Sequence, residues 1–187
     1  MGRALGGTAE TLVCSERTLR RYINEGTLRG RRLDGYRFEL PEQEERYARE
    51  HWELLRGLRA TLRTERNVRL AVLFGSTATG EDGEGSDVDL LVAHRRGDER
   101  AFAGLRRRLS DALGRRVHLI QLDEARRSPN LLADALIEGR VVVDRNNIWT
   151  GLLSESEHIL ERAARDDAEM LALAHASVDA AGRRMER

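Results

Sequence analysis

Residues 73–92 read Leu73-Phe74-Gly75-Ser76-Thr77-Ala78-Thr79-Gly80-Glu81-Asp82-Gly83-Glu84-Gly85-Ser86-Asp87-Val88-Asp89-Leu90-Leu91-Val92. An apolar run enters Gly75-Ser76, ten residues (77–86) follow, and Asp87-Val88-Asp89 opens a second apolar run. Each part has a chemical reading. Gly75 lets the backbone turn sharply and approach a ligand with no Cβ in the way. Ser76 offers a hydroxyl and an amide, and a helix starting near Thr77 would turn further free amides toward a phosphate. Asp87 and Asp89 lie two apart on a strand, so their carboxylates project from one face. Adjacent carboxylates repel unless a cation lies between them, and hard oxygen donors select Mg2+ or Mn2+. Such a cation bridges a triphosphate, neutralises charge and activates the attacking oxygen.

Outward from this stretch the chain alternates strand and helix. Val68 to Phe74 and Asp87 to Val92 read as strands, Phe102 to Leu113 as a helix, and Val117 to Leu122 as a third strand. Leu131 to Ile137 reads as a short helix ended by Gly139, a residue suited to a left-handed cap. Val141 to Val143 reads as a short fourth strand. Before this region, Pro41 opens a long amphipathic helix with Tyr47, Ala48, Trp52, Leu55, Leu58 and Leu62 on one side and Glu42, Glu44 and Glu45 at its positive end. Beyond Trp149 the pattern is helical again, and the acidic pair Asp166-Asp167 is the expected break. The expected fold is α+β, with segments at 1–40 (head), 41–66 (connecting helix), 67–147 (α/β domain) and 148–187 (helical tail).

The Gly-Ser, ten residues, Asp-x-Asp pattern resembles the signature of the DNA polymerase beta-like nucleotidyltransferase superfamily. The likeness covers about residues 67–145. It extends to minimal bacterial members, among them antitoxin-type enzymes that transfer AMP to a partner protein. The resemblance implies that Gly75, Ser76 and Ser86 hold the triphosphate of ATP or another NTP. It implies that Asp87 and Asp89 hold Mg2+ or Mn2+ and act in catalysis. It also implies a protein or nucleic-acid acceptor, or a toxin partner. The superfamily's third carboxylate belongs on the next strand, where this chain reads Arg116-Val117-His118-Leu119-Ile120. Three readings of that departure are open. His118 serves as general base, since imidazole titrates in the right range; a carboxylate such as Asp123 or Asp144 moves in; or the site binds nucleotide and turns over slowly or not at all.

Residues 11–40 read as a compact winged helix-turn-helix. Ser15 caps a helix with Glu16 in its first turn, Thr18, Leu19, Tyr22 and Ile23 form an apolar side, and Gly26 ends it. Residues 28–38 suit a hairpin turning at Asp34-Gly35. Ser15-Glu16-Arg17-Thr18-Leu19-Arg20-Arg21-Tyr22, Gly26 and Gly35-Tyr36-Arg37-Phe38 resemble the DNA-binding head of MerR-type regulators and their excisionase-like relatives. That resemblance implies Arg17, Arg20 and Arg21 in a major groove, with Arg31, Arg32 and Arg37 on phosphates. It also implies a dimerising role for the helix after Pro41, and hence a homodimer.

Composition narrows the field. The 187 residues carry 32 basic and 32 acidic groups, a net charge of zero, so no globally basic coat for nucleic acid is present. Residues 1–40 nevertheless hold eight Arg against five acids. Every basic residue is Arg, which excludes a lysine Schiff base, a lysyl-nucleotide intermediate and a P-loop lysine. Cys14 stands alone, so neither an internal disulfide nor a cysteine zinc cluster forms. No signal-peptide core and no membrane-length apolar run is found, and the expectation is a soluble cytoplasmic protein with no membrane partner. His51, His158 and His175 show no metal-ligand spacing and read as surface or packing residues, as do Trp52, Trp149 and Arg106-Arg107-Arg108. His94 follows the Asp-bearing strand and is a weaker candidate for ligand contact.

Three functions of different kinds follow. One is an enzyme transferring NMP, with AMP from ATP the favoured case, in a toxin–antitoxin or defence setting. Another is a DNA-binding regulator whose transferase domain senses nucleotide without turnover. A third is a protein that neutralises a partner through its C-terminal helix.

Overall fold

The computed structural model describes residues 3–34, 37–95 and 99–185. In chain order the elements are β1 (Arg3–Ala4), α1 (Leu5–Thr11), α2 (Glu16–Asn24), β2 (Arg31–Asp34), β3 (Arg37–Leu40), α3 (Glu42–Thr64), β4 (Val68–Phe74) and α4 (Ser76–Thr79). They continue with β5 (Val88–His94), α5 (Glu99–Leu113), β6 (Val117–Gln121), α6 (Leu122–Ala125), α7 (Pro129–Glu138), β7 (Arg140–Asp144), α8 (Ile148–Ser154) and α9 (Ser156–Met185).

The central sheet runs β6-β5-β4-β7. β5 and β6 are parallel, joined by the α5 crossover that parallel neighbours require, and the other pairs are antiparallel. Period-two alternation sorts its side chains between two cores. Leu73, Val88, Leu90, Val92, Val117 and Leu119 face α3 and α5. Leu70, Val72, Phe74, Leu91 and Ile120 face α6, α7 and the start of α9. A bulge between Val68 and Leu70 shifts the alternation, so that Val68 joins the first core and Leu70 the second.

The N-terminal segment is two short helices with a three-stranded sheet, ordered β1-β3-β2. Ser15 caps α2, its hydroxyl accepting from the Thr18 amide at 3.1 Å. Gly35 and Tyr36, the expected hairpin tip, lie outside the described residues. The segment does not stand apart. Leu5, Leu12, Leu19, Tyr22, Leu28 and Leu40 share one hydrophobic cluster with Trp52, Leu55 and Leu58 of α3 and Leu73 and Leu90 of the sheet. Gly26 and Thr27 also close the outer edge of β7: the Val141 amide donates to the Gly26 carbonyl at 3.1 Å, and the Thr27 hydroxyl donates to the Val141 carbonyl at 2.6 Å. An open edge there would leave backbone groups free to pair with another chain.

Several expectations change. The apolar side of α3 is spent on its own fold, with Ala48, Leu55, Leu58 and Leu62 fully buried, so it offers no free dimer seam. Its first-turn acids do more than meet a helix dipole. Glu44 and Glu45 are buried and bonded, Glu44 to Arg140 and Glu45 to the Thr8 hydroxyl at 3.1 Å. The tail breaks at Glu155 rather than at Asp166-Asp167, which lie inside α9; Glu155 caps α8 through amide bonds to the Gly151 and Leu152 carbonyls. Gly139 is extended (φ −63°, ψ 146°), not left-handed. What requires glycine there is space, since a Cβ would sit 2.1 Å from the Ala135 carbonyl oxygen and 2.7 Å from Val72. Among the described residues no helix is long and apolar enough to cross a membrane.

Candidate active site

β4 delivers the turn that begins the site. Phe74, its last residue, pairs with Asp89 of β5, and Asp89 in turn pairs with His118 of β6. Three neighbouring strand positions therefore bring the Gly75-Ser76 turn, an aspartate and the histidine to one sheet end. Gly75 takes φ 70° and ψ −161°, a region that in practice only glycine occupies. Its bare α-carbon faces Asp89, whose Oδ2 lies 3.1 Å from where a Cβ would be. The helix that follows starts at Ser76, one residue earlier than expected, and lasts a single turn. Its Ala78 and Thr79 amides are already bonded to the Gly75 carbonyl at 2.9 and 3.2 Å. Phosphate would be met by the first amides of the turn and the Ser76 hydroxyl, not by a long helix end.

Asp87 and Asp89 flank the buried Val88 and stay partly exposed. Asp87 accepts from the Arg116 Nε at 2.5 Å, and Asp89 Oδ1 lies 3.3 Å from His118 Nδ1. Arg116 is 78% exposed, so that pair contributes well under 1 kcal/mol and opposes a competing cation weakly. The donor set fits a hard divalent ion, because Mg2+ is typically held by one or two carboxylates together with substrate phosphates and water. Among the described residues no group of three or more His, Cys, Asp or Glu side chains is placed to hold a metal ion, so Asp87 and Asp89 would need substrate oxygens to complete the ligand set. His118 offers nitrogen, a poor donor for such an ion.

Neither alternative acid reaches the site. Asp144 lies on β7, across β4 and β5 from β6, and its carboxylate caps α8 by accepting from the Ile148 and Trp149 amides at 3.0 and 3.2 Å. Asp123 lies five residues beyond His118, in α6, past the end of β6 that pairs with Val92 rather than with Asp89. The same spacing removes His94, which ends β5 and stacks on Phe102 at 5.0 Å. Ser86, expected at the triphosphate, uses its hydroxyl to accept from the Gly83 amide at 3.0 Å and so shapes the 80–86 loop.

Several residues around the site carried no local signal. Tyr47 donates its hydroxyl to the Thr77 carbonyl at 3.1 Å. Arg140 donates Nε to the Ala78 carbonyl at 2.6 Å. Arg115 reaches Asp82 at 2.8 Å, the Ser86 carbonyl at 2.8 Å and the Thr77 hydroxyl at 3.3 Å. His51, read as a packing residue, is buried beneath the loop, with Nε2 2.7 Å from Asp82 Oδ1. Burial alone would raise the Asp82 carboxyl, but hydrogen bonds and charge from His51 and Arg115 overcome it and hold the group below the ordinary aspartate value. A depressed folded-state pKa means stabilisation present above the unfolded value of about 3.9 and lost as pH falls through the lowered one, so the loop stays anchored at neutral pH. Tyr47 is pushed the other way by burial and remains a neutral donor.

In the N-terminal segment Arg17, Arg21, Arg31, Arg32 and Arg37 are exposed. Arg20 is half-buried and paired with Glu16, and Arg37 is paired with Asp34. Arg20 is thus spent on holding its own helix, which the i, i+4 spacing allows.

The family described as polymerase beta, nucleotidyltransferase, matches residues 57–148, from within α3 to the start of α8. No curated protein matches the chain. Among solved structures, a chain in the crystal structure of a toxin–antitoxin with AMP-PNP shares 23% identity, covering 67% of this chain and 95% of that one, with a TM-score of 0.46. A chain in the complex of tri-AMPylated Shewanella oneidensis HEPN toxin with MNT antitoxin shares 21%, covering 66% of this chain and 95% of that one, with a TM-score of 0.48. The matched segment spans the Gly75-Ser76 turn, Asp87 and the strand-borne Asp89, and residues 57–148 carry a nucleotidyltransferase domain of the polymerase beta type.

Proposed function

We propose that this protein transfers a nucleoside monophosphate, AMP from ATP, to a hydroxyl of a protein or nucleic-acid acceptor, using Mg2+ or Mn2+. The observation that carries this reading is the approach of Asp89 to the bare α-carbon of Gly75, which sets a strand-borne carboxylate beside a phosphate-type turn. Gly75 and Ser76 hold the triphosphate; Asp87 and Asp89 hold the cation. The cation, when bound, neutralises charge on the triphosphate and on the departing pyrophosphate. The acceptor oxygen forms a bond to the α-phosphorus while the bond to the bridging oxygen breaks, and pyrophosphate leaves with its electron pair. The acceptor's proton passes to the Asp89–His118 pair, where a carboxylate and an imidazole lie within contact of each other. The setting proposed is a toxin–antitoxin or defence pair, with a toxin as protein acceptor, on the resemblance of the Gly-Ser and Asp-x-Asp motifs to antitoxin-type enzymes. The α1–α2 unit with its β2–β3 hairpin is read as a winged helix-turn-helix that binds DNA.

Labelled ATP, Mg2+ or Mn2+ and candidate acceptors test the transfer. Wild type is expected to label an acceptor, and Asp89→Ala to lose at least about a hundredfold of that rate. Equal labelling by the two, across all four nucleotides, would remove the enzyme reading.

A second reading, a DNA-binding regulator with a nucleotide-sensing domain, is favoured by one observation. Each catalytic aspartate already has a basic neighbour, and His118 stands where a third acid belongs. Under it, His118→Asp raises transfer. A gel shift on the protein's own upstream DNA should weaken by roughly tenfold or more when Arg17 and Arg21 both become Ala. Unchanged binding would sink the DNA-binding role.

A further inference from the structure

The turn that carries Ser76 is held from behind by groups that no motif announces. A one-turn helix leaves its last carbonyls without partners. Here two of them, at Thr77 and Ala78, accept from Tyr47 of α3 and from Arg140 of β7. The Arg140 guanidinium lies 3.4 Å from the Tyr47 ring centroid, so the two donors brace each other. Gly80 ends the turn at φ 83° directly against that ring, where a Cβ would come within 3.2 Å of Tyr47. Arg140 is 2% exposed and forms a two-point pair with the Glu44 carboxylate. Glu44 also accepts the Arg29 amide at 2.8 Å, and Arg140 donates to the Thr27 carbonyl at 3.3 Å. The N-terminal segment, α3, β7 and the Ser76 turn thus meet at one buried ion pair.

We infer that Tyr47 and Arg140 are positioning residues for the nucleotide turn, and that through Glu44 they join the N-terminal segment to that turn as one unit. The inference rests on the proposed nucleotide role of Gly75 and Ser76. The physical argument is preorganisation. A turn already fixed in its binding conformation loses little entropy on meeting a triphosphate, whereas a loosened one must be ordered at the expense of affinity. Tyr47 meets the turn at the Thr77 carbonyl and at Gly80, not at Ser76, so it acts through the backbone and not on the ligand.

The test compares wild type, Tyr47→Phe and Glu44→Gln by amide hydrogen exchange and by ATP binding with Mg2+. In Tyr47→Phe, exchange at Ala78–Gly80 is expected to quicken by about tenfold, and ATP binding to weaken by about fivefold. The urea midpoint should fall only by the cost of one buried hydrogen bond, which leaves the protein folded, so a merely structural role would not weaken ATP binding. In Glu44→Gln, exchange should quicken together at Thr27–Arg29 and at Ala78–Gly80. Wild-type protection of the turn in Tyr47→Phe would overturn the positioning role. An opened N-terminal segment beside a still-protected turn in Glu44→Gln would overturn the joining. Should wild type bind no nucleotide, the transferase proposal fails, while the exchange rates still decide this one.

Discussion

Arg140→Met is expected to cost about 3–5 kcal/mol of stability, the range for breaking a buried ion pair from one side. Arg140 is 2% exposed and its partner Glu44 is 7% exposed at the side chain. Removing the guanidinium leaves the buried Glu44 carboxylate without a counter-charge, with the Arg29 amide as a remaining donor, and frees the Ala78 and Thr27 carbonyls. Each buried acceptor left alone adds its desolvation cost of about 1–3 kcal/mol, offset in part by local relaxation and water entry. For a chain of this length a loss of that size lowers the melting temperature by roughly 10 °C. Urea unfolding with an unchanged m value measures it. The double variant Arg140→Met with Glu44→Met should recover much of the loss, because removing both charges leaves no stranded carboxylate. A loss below about 1 kcal/mol in the single variant would mean that the pair is not the junction its geometry indicates.

Gly75→Ala is expected to keep the fold and abolish the site. Two costs coincide at that position. The backbone conformation costs a non-glycine residue about 1–3 kcal/mol. The new methyl would also stand 3.1 Å from Asp89 Oδ2, tighter than ordinary contact, so the carboxylate must move. A displacement near 1 Å of a catalytic group costs on the order of a hundredfold in rate. Nucleotide binding with Mn2+ should fall alongside, which gives a readout independent of turnover. Gly83→Ala is the matched control, since a Cβ there meets nothing within 4 Å. If Gly75→Ala binds nucleotide as wild type does, the turn is not the phosphate site.

The elements were legible because their signals are local. Short apolar runs announced β4, β5 and β6, and threefold and fourfold spacing announced α3 and α5, all within a few residues of where they lie. Ser15 marked the start of α2 through a cap that spans three residues. The core of the candidate site could be read for the same reason: Gly75, Ser76, Asp87 and Asp89 fall within fifteen consecutive residues. His118 was found by its strand context, and the β5–β6 register puts it opposite Asp89. Gly139 was singled out correctly as a glycine position and given the wrong reason. Its left-handed cap was a local inference, whereas the crowding by Val72 comes from another strand.

What the chain alone determined, then, is the chemistry brought to the sheet end: a glycine turn, two carboxylates and an imidazole. Only the tertiary structure decided which distant groups serve that chemistry. Sheet order removed Asp144, the end of β6 away from Asp89 removed Asp123, and strand length removed His94, although His94 lies two residues past the motif in sequence. Folding brought Glu44 to Arg140 across 96 positions and His51 to Asp82 across 31. Such pairs carry no periodicity and no spacing. They exist because a buried charge or carbonyl must find a partner, and which partner it finds is set by the packing of helices on the sheet.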